Sequence, residues 1–591
     1  MILQALKEYY DRKTEAAEAE IAPPGWEIKE IPYIIVLDGD GIPVDIQSTV
    51  EGTGKNKTTR KFLLPQSIKR SSNVSANLCW DSPERSLGVA LKGKPERVTQ
   101  QHEAFKNRVA ELGDVPDDGI AALKKFLNLP DKIGRLEKFN EWENLTKSGA
   151  FVVFKLAGSM GIITDTPAVR KAVNLLSAAP ASANVGTCLI TGEDDDIERI
   201  HAAIKGVWGG NKSGGTIVGF NRDAFCSYGK KQGENAPIGR KAAFAFATAL
   251  NTMLAKGSKN RMQVCDASTV AWASKTTDFE GWFCSAFNES PKDNPDEGVE
   301  AVRAIYKSVE SGAFHAERGD DETPTRFYVL GLAPNKARIS IRFWIVGTVE
   351  EIAKRVKQHF DDIRIEAPPK QPEHLSISLL LISTAVLKEK GNIPPNLGGE
   401  TMRSILEGLP YPATLLNAAI RRIHAEREVS YTRAAVIKAY LNRFYRFYKQ
   451  ETHFKEITVS LDKENTNPGY LLGRLFAVLE KIQSEANPGI NATIRDRFYA
   501  AASGKTPARV FSNLMRLKNH HLSKLENVGR RVYFESLLGE IIDKIRNEFP
   551  SNLSLHDQGC FAVGYYHQVR NFYRKKEDAA SEEQALTRES E

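Results

Sequence analysis

The sequence has few cysteines, and they do not stand in pairs. Its 591 residues include six cysteines, at positions 79, 188, 226, 265, 284 and 560, with no C-x-x-C motif. Zinc ribbons and knuckles need such pairs, and disulfide frameworks need denser cysteines in a shorter chain. We therefore expect buried thiols in a reducing cytoplasm, no cofactor and no structural metal.

Long apolar runs are also missing. A membrane-spanning helix needs about 18–20 mainly apolar residues, and the sequence has no such run. The first twelve residues, MILQALKEYYDR, form an amphipathic helical pattern that carries acids and lacks the apolar core of a secretion signal. We expect neither a membrane partner nor an exported protein.

Charge of one sign is in excess. The formal net charge is +7, although the last fifteen residues hold six acids and one arginine, so the remainder carries about +12. A basic folded body favours a polyanionic partner. With 41% hydrophobic and 26% charged residues, the chain has enough apolar content for two or more domain cores.

The first two-thirds of the chain mixes strand and helix patterns. A β-rich run at 31–37 ends in an Asp-Gly-Asp-Gly turn at 38–41, and 327–332 with 338–346 has the pattern of a second hairpin. Helical patterns occupy residues 103–112, 166–178, 197–205, 240–254 and 298–311. This part of the sequence predicts an α+β domain over residues 1–366.

The last third is almost wholly helical in period. A Pro-rich segment at 367–375 has the composition of a linker, and residues 376–576 predict an all-α helical bundle. The acidic residues 577–591 have the composition of a disordered tail. The predicted helices cover residues 376–390, 399–408, 412–428, 432–448, 467–486, 490–502, 507–525, 533–548 and 555–576.

Motifs of catalysis are incomplete. Ser503–Thr506 resembles the end of a phosphate-binding loop but has Tyr499 where a glycine is required, and the glycine-rich stretch 206–219 follows a helical pattern instead of a strand. The acidic run 193–196 is typical of a helix cap. His556-Asp557 is the core dipeptide of some metal phosphohydrolases, so a metal-dependent nuclease stays open as an alternative.

Two kinds of basic segment suit nucleic acid. In the first, lysine and arginine could neutralise phosphates while serine and asparagine reach base edges, although a solvated loop has the same composition. This segment contains Lys69, Arg70, Ser71, Ser72, Asn73 and Asn77.

The second kind lies in the predicted bundle, where residues 401–449 hold nine lysines or arginines against three glutamates. Arginines interleaved with aromatic residues are typical of a site for single-stranded nucleic acid, but they are equally typical of the solvent-exposed edge of a hydrophobic core. The candidate contacts to a single nucleic-acid strand or a phosphate backbone are Arg421, Arg422, Arg443, Arg446, Arg516, Lys518, Arg530 and Arg531.

Several stretches with a family resemblance run from residue 1 to about residue 570. They are Met1–Tyr10, Cys188–Glu193, Ile204–Val207, Phe220–Asn221, Ser227–Lys230, Gln232–Gly233, Asn235–Pro237, Phe327–Asn335, Arg338–Trp344, Leu472–Glu480, Asn491–Tyr499, Leu555–Gly559 and Gly564–Gln568. Together they resemble the large-subunit family of type I-C CRISPR Cascade, the Csd family.

The resemblance implies a non-catalytic subunit of an RNA-guided complex. Such a subunit reads the protospacer-adjacent motif (PAM) on double-stranded DNA, promotes duplex opening, and helps to recruit a helicase-nuclease. Its partners would be target DNA, the displaced strand, and the backbone subunits that carry the CRISPR RNA. The family's motif-reading region is similar to Lys69–Asn77, and its helical end to a Cascade small subunit. A scaffold that touches only protein and RNA is the second alternative.

Overall fold

The computed structural model describes residues 1–16, 21–52, 57–68, 74–177, 185–313, 323–394, 396–448, 455–545 and 548–574. The chain forms two compact units. The first comprises Met1–Ala202 with Val218–Thr252, and the second comprises Ala203–Ile217 with Met253–Glu591.

The first unit combines short strands with helices. Its strands are β1 (Trp26–Glu30), β2 (Tyr33–Leu37), β3 (Pro43–Ser48), β4 (Val50–Glu51), β5 (Thr58–Thr59), β6 (Lys61–Pro65), β7 (Val152–Leu156), β8 (Val185–Thr187) and β9 (Asp194–Asp196). Its helices are α1 (Ile2–Glu15), α2 (Pro83–Ser86), α3 (Pro95–Ala110), α4 (Asp118–Leu127), α5 (Lys132–Leu136), α6 (Trp142–Ser148) and α7 (Pro167–Ser177), and α8 (Arg240–Leu254) begins there.

Strand β2 is central to the first unit because both of its faces are buried. It pairs antiparallel with β3 and parallel with β7. Ile35 and Leu37 join the core formed with helices α3 and α4, while Ile34 and Val36 join a second cluster around Trp80. A strand buried on both faces shows a continuous apolar run instead of alternation, as the sequence YIIVL does.

The second unit contains a four-stranded sheet and a helical bundle. The sheet has the antiparallel order β10 (Arg261–Val264), β11 (Ala267–Ala273), β12 (Arg326–Asn335) and β13 (Arg338–Thr348). The helices are α9 (Phe279–Phe287), α10 (Glu297–Glu310), α11 (Val349–Ile363), α12 (Ile377–Ile382), α13 (Leu397–Glu407), α14 (Ala413–Glu426), α15 (Tyr431–Tyr448), α16 (Pro468–Ala486), α17 (Ile494–Ala502), α18 (Pro507–Ser523), α19 (Val528–Asp543) and α20 (Leu555–Tyr573).

The predicted fold class, an α+β part followed by a helical one, is confirmed. The predicted boundary at 367–375 does not coincide with the division between the compact units, because one apolar core runs from Met262 in the sheet to Tyr566 in α20. The Pro-rich segment lies within this unit. Just before it, the Glu366 amide donates to the Val459 carbonyl at 2.9 Å, and the Tyr566 hydroxyl donates to the Glu366 carbonyl at 2.6 Å.

Both predicted hairpins are confirmed, but the predicted helix at 197–205 is wrong. The acidic run before it is strand β9, which pairs with β8. The Lys241 amide at the start of α8 donates to Asp195 Oδ2 at 3.2 Å, and Arg240 pairs with Asp196 at 2.5 Å. The acids thus stabilise the N-terminus of a helix, as predicted from their charge, but of a helix more than forty residues further on.

None of the described helices is long and apolar enough to cross a membrane.

Two buried histidines make the second unit sensitive to acid. Burial lowers the pKa of His359 and of His567 to about 3, and each Nδ1 lies within 3 Å of a tyrosine hydroxyl. In the unfolded chain a histidine has a pKa of about 6.5. Their contribution to stability is therefore complete above pH 6.5 and is lost as the pH falls towards 3.

We expect the free energy of unfolding to fall by about 1 kcal/mol per pH unit for each of these histidines between pH 6.5 and 5. Thermal unfolding at pH 7.5, 6.5 and 5.5 measures this slope. A His359→Gln variant should show a shallower slope, whereas His520→Gln, at an exposed position, should keep it. Equal slopes in all three proteins would contradict the prediction.

Candidate nucleic-acid interface

The predicted motif-reading segment is bracketed by residues that contact each other. Residues 69–73, with Lys69, Arg70, Ser71, Ser72 and Asn73, lie outside the part of the chain that the structure describes. Before them, the backbone amide of Ile68 donates to Oδ1 of Asn77 at 3.3 Å. The chain therefore leaves and returns at neighbouring points on the first unit.

A buried polar network holds the residues that flank 69–73. The Asn77 amide donates to Asp81 Oδ2 at 2.9 Å, and Arg85 Nε donates to the Ser75 carbonyl at 3.2 Å. The Arg85 guanidinium also lies 3.9 Å from the Asp81 carboxylate, and both side chains are buried. The Trp80 indole donates to the Pro65 carbonyl at 2.9 Å, which ties the returning chain to the end of β6. Hydrogen bonds satisfied in a buried site fix local geometry more firmly than exposed ones.

The predicted role of Asn77 disagrees with its position. Its residue is 2% exposed, and its side-chain oxygen already accepts the Ile68 amide. An amide that is buried and hydrogen-bonded within the fold is not placed to reach a base edge. Asn77 instead fixes the chain that flanks residues 69–73. The sequence could not show this, because serine, asparagine and lysine patterns look alike whether the amide points inward or outward.

Arg443 in α15 is likewise buried, at 3% exposure. Its Nε donates to the Leu409 carbonyl at 2.7 Å, and one Nη donates to the Ser404 carbonyl at 2.7 Å. The same nitrogen donates to the Ile405 carbonyl at 3.3 Å, in the last turn of α13, where carbonyls lack partners within the helix. Arg443 therefore closes the end of a neighbouring helix, and its predicted contact with a displaced strand disagrees with this burial.

Arg446 shares a carboxylate with Arg443. Asp362 of α11, 2% exposed, lies 2.9 Å from Arg446 Nη and 3.5 Å from Arg443 Nη. Glu456 also accepts from Arg446, and the hydrogen bonds that the guanidinium donates to Glu456 and Asp362 raise its pKa. The Lys438 ammonium donates to the Asp362 carbonyl at 2.9 Å, and burial lowers its pKa to about 8. Arg443, Arg446 and Lys438 together hold α15 to α11 through Asp362.

Other predicted cations are more open to solvent. Arg421 on α14 and Arg516 on α18 are exposed, and Lys518 is half-buried. Arg422 lies 3.7 Å from the Glu426 carboxylate one turn later. Among the eight cations predicted to contact DNA, Arg421, Arg516 and Lys518 make no ion pair with a described carboxylate and remain the best candidates for phosphate contacts.

Arg530 and Arg531 on α19 are partly engaged within the fold. Arg530 makes two hydrogen bonds to Glu485, at 2.8 and 2.7 Å, and lies over the Phe534 ring at 4.4 Å. Arg531 donates to the Leu525 carbonyl at 3.0 Å. A bidentate pair stacked on an aromatic ring fixes the guanidinium, so Arg530 is a weaker candidate for DNA than an unpaired arginine.

The two residues of the nuclease alternative, His556 and Asp557, make contacts within the helical bundle. The His556 ring packs 4.4 Å from the Phe444 ring, and burial lowers its pKa. Asp557 lies in the first turn of α20, where its amide donates to Ser554 at the N-cap. Within the described ranges, no three histidines, cysteines, aspartates or glutamates are grouped as metal ligands would be.

Sequence patterns did not indicate Asp362, the carboxylate that pairs with Arg443 and Arg446. Helix α11 was not among the predicted helices, although it begins with a capping box in which Thr348 and Glu351 bond each other's amides. A threonine followed three residues later by a glutamate is a recognisable helix start. That signal could have found the helix, but not the partners of its last turn.

The family comparison agrees with the fold. A search for curated relatives finds no match. The family model described as CRISPR-associated protein (Cas_Csd1) matches residues 6–573, which is nearly the whole chain. The chain therefore belongs to the CRISPR-associated Csd1 family, consistent with the large subunit of a type I-C Cascade complex.

Proposed function

We propose that this chain is the non-catalytic subunit that reads the PAM on double-stranded DNA within an RNA-guided Cascade complex. It would promote duplex opening and R-loop formation and help to recruit the helicase-nuclease. The observation that carries the proposal is the family match over residues 6–573. Its partners would be target DNA and the backbone subunits that carry the CRISPR RNA.

The hydrogen bonds around Asn77 support this role physically. The hydrogen bond between Ile68 and Asn77 holds the described residues on either side of 69–73 at neighbouring points. Base reading needs donors and acceptors held close to a required geometry, and fixed ends reduce the entropy lost on binding. Lysine and arginine would neutralise phosphates, while serine and asparagine would reach base edges.

Guide pairing explains why a short segment is enough. In RNA-guided recognition the guide carries most of the sequence information, and the protein reads only a short duplex element before opening it. The exposed Arg421 and Arg516 and the half-buried Lys518 on the helical bundle would then hold the displaced strand through its phosphates. Such contacts oppose re-annealing and need no catalytic group.

Substituting the motif-reading segment tests the proposal. In the assembled complex, Asn73→Ala should weaken binding to motif-bearing duplex by about 1–3 kcal/mol and leave binding to other duplexes unchanged. Lys69→Ala should weaken both and lower the dependence of affinity on salt. Both effects are measured by titrating labelled duplex at several salt concentrations.

The matched control is Lys94→Ala, an exposed lysine of the same unit outside the segment. It should bind both duplexes as the wild type does. If Asn73→Ala and Lys69→Ala also bind like the wild type, the chain is a scaffold that contacts only protein and RNA. Cleavage of DNA by the purified chain with Mg²⁺ that disappears in His556→Ala would instead support the nuclease alternative.

A further inference from the structure

One aromatic side chain of the first unit stands almost entirely in water. Tyr228 is 99% exposed, and Phe225 in the same loop is 43% exposed. A fully exposed tyrosine gains none of the stabilisation that burial of a large apolar side chain contributes. The loop, residues 221–235, therefore presents a ring that does nothing for the fold of this chain.

The backbone at Tyr228 is itself unfavourable for tyrosine. The Lys230 amide donates to the Ser227 carbonyl at 3.0 Å, which closes a four-residue turn. Tyr228 has φ +53° and Gly229 has φ +71°, and positive φ at both central positions is typical of a type I′ turn. Such turns prefer Asn-Gly, since a residue with a bulky side chain is disfavoured in the left-handed region.

A neighbouring side chain, Asn235, stabilises the turn. The Asn235 side-chain oxygen accepts from the Ser227 amide at 2.9 Å, and its nitrogen donates to the carbonyls of Lys230 at 3.2 Å and Gln232 at 3.0 Å. Three hydrogen bonds from one amide fix the loop around the turn. An unfavourable backbone that the surroundings enforce is a feature found at functional sites.

The charges beside Tyr228 favour a nucleic acid over a protein. Arg222, Lys230 and Lys231 are exposed, and none of them forms an ion pair with a carboxylate in the described ranges. The Glu234 carboxylate is engaged by the Lys231 backbone amide at 2.8 Å. Unpaired cations flanking a lone aromatic ring are the usual elements of a single-strand site, whereas protein interfaces favour clustered apolar side chains.

We propose that Tyr228 stacks on an unpaired base of the opened target DNA, with Lys230 and Lys231 at the adjacent phosphates. This rests on the proposed function, because an unpaired base is available only once the duplex opens. The exposed ring, the strained turn and the cations would then all contribute to binding the same single strand. A base with an exposed face gains contact area from a ring that is already positioned, so little further ordering is needed.

The test uses Tyr228→Asn, because asparagine suits this turn position better than tyrosine and should leave the fold intact. The full-length chain is titrated with a labelled single-stranded DNA at several salt concentrations. Tyr228→Asn should weaken binding about tenfold to hundredfold, with the salt dependence unchanged, since stacking releases no counterions. Tyr228→Phe, which keeps the ring, should bind like the wild type.

The paired variant Lys230→Ala/Lys231→Ala should instead make the affinity less dependent on salt. If Tyr228→Asn binds single-stranded DNA like the wild type, the inference is wrong. If the Tyr228→Asn chain binds DNA like the wild type but no longer joins the assembled complex, Tyr228 contacts a protein, and the inference is also wrong. A wild-type chain whose complex binds duplexes without regard to the motif would refute the proposed function instead. In the wild type, 5-iodouracil in the opened strand should photocrosslink to Tyr228.

Discussion

A Gly473→Leu variant is expected to lose most of its folded population. Gly473 lies in α16, where it faces the backbone of α20. A β-carbon at this position would overlap the Phe561 carbonyl oxygen and lie 2.7 Å from the Tyr565 amide nitrogen. Backbone atoms cannot move aside as a flexible side chain can, so the two helices would have to separate. We expect a loss of at least about 3 kcal/mol.

The same close approach continues along both helices. Gly469 of α16 lies against the Asp557 backbone, and Gly564 of α20 lies against that of Tyr470, with a β-carbon only 3.0 Å from the Tyr470 Cα. Helix spacing is set by the side chains at the contact, and glycine permits the shortest spacing. Separating these helices would also open the buried hydrogen bond between Arg474 and Gln568, at 3.2 Å.

The matched control is Gly539→Leu. Gly539 also lies inside a helix, α19, but a β-carbon there would have no neighbour within 4 Å. Leucine is a better helix former than glycine, so this control should keep or slightly raise the melting temperature. Soluble yield and thermal unfolding measure both variants, and Gly473→Ala should fall between them. Equal stability of Gly473→Leu and Gly539→Leu would contradict the close packing.

The helical bundle could be predicted because its apolar positions repeat with the period of a helix. Predicted bounds of 432–448 and 467–486 lie within one residue of α15 and α16. Their packing could not be predicted in the same way. A glycine in a helical pattern lowers helix propensity wherever it stands, and only the partner helix distinguishes Gly473, where a β-carbon collides, from Gly539, where it meets nothing.

The candidate site shows a similar limit. Composition locates the cations, but it does not show which of them the fold uses. One of the two carboxylate partners of Arg446, Asp362, lies 84 residues earlier in the chain, and a contact at that separation leaves no local pattern. Asn77 likewise belongs to a segment that suits base reading by composition, yet its amide is buried. Burial separates structural cations and amides from free ones, and it depends on tertiary packing.

This distinction changes the expected result of reversing the charge of Arg443. Arg443→Glu would remove the side-chain donor to the Leu409 and Ile405 carbonyls and place a carboxylate beside buried Asp362. Breaking a buried pair by removing one partner costs about 3–5 kcal/mol, and adding a like charge increases this cost. We expect a melting temperature several degrees lower, or loss of soluble protein, before any contact with DNA is considered.

Charge reversal at exposed arginines separates folding from binding. Arg421→Glu and Arg516→Glu make the same change of charge on α14 and α18, where surface substitutions usually alter stability by about 0.5 kcal/mol or less. If the bundle holds the displaced strand, these variants should form R-loops more slowly at an unchanged melting temperature, with a weaker dependence on salt. Arg443→Glu should show the reverse order, with unfolding first. If Arg443→Glu is as stable as Arg421→Glu, then Arg443 does not close the end of α13, and its original assignment to the displaced strand would regain support.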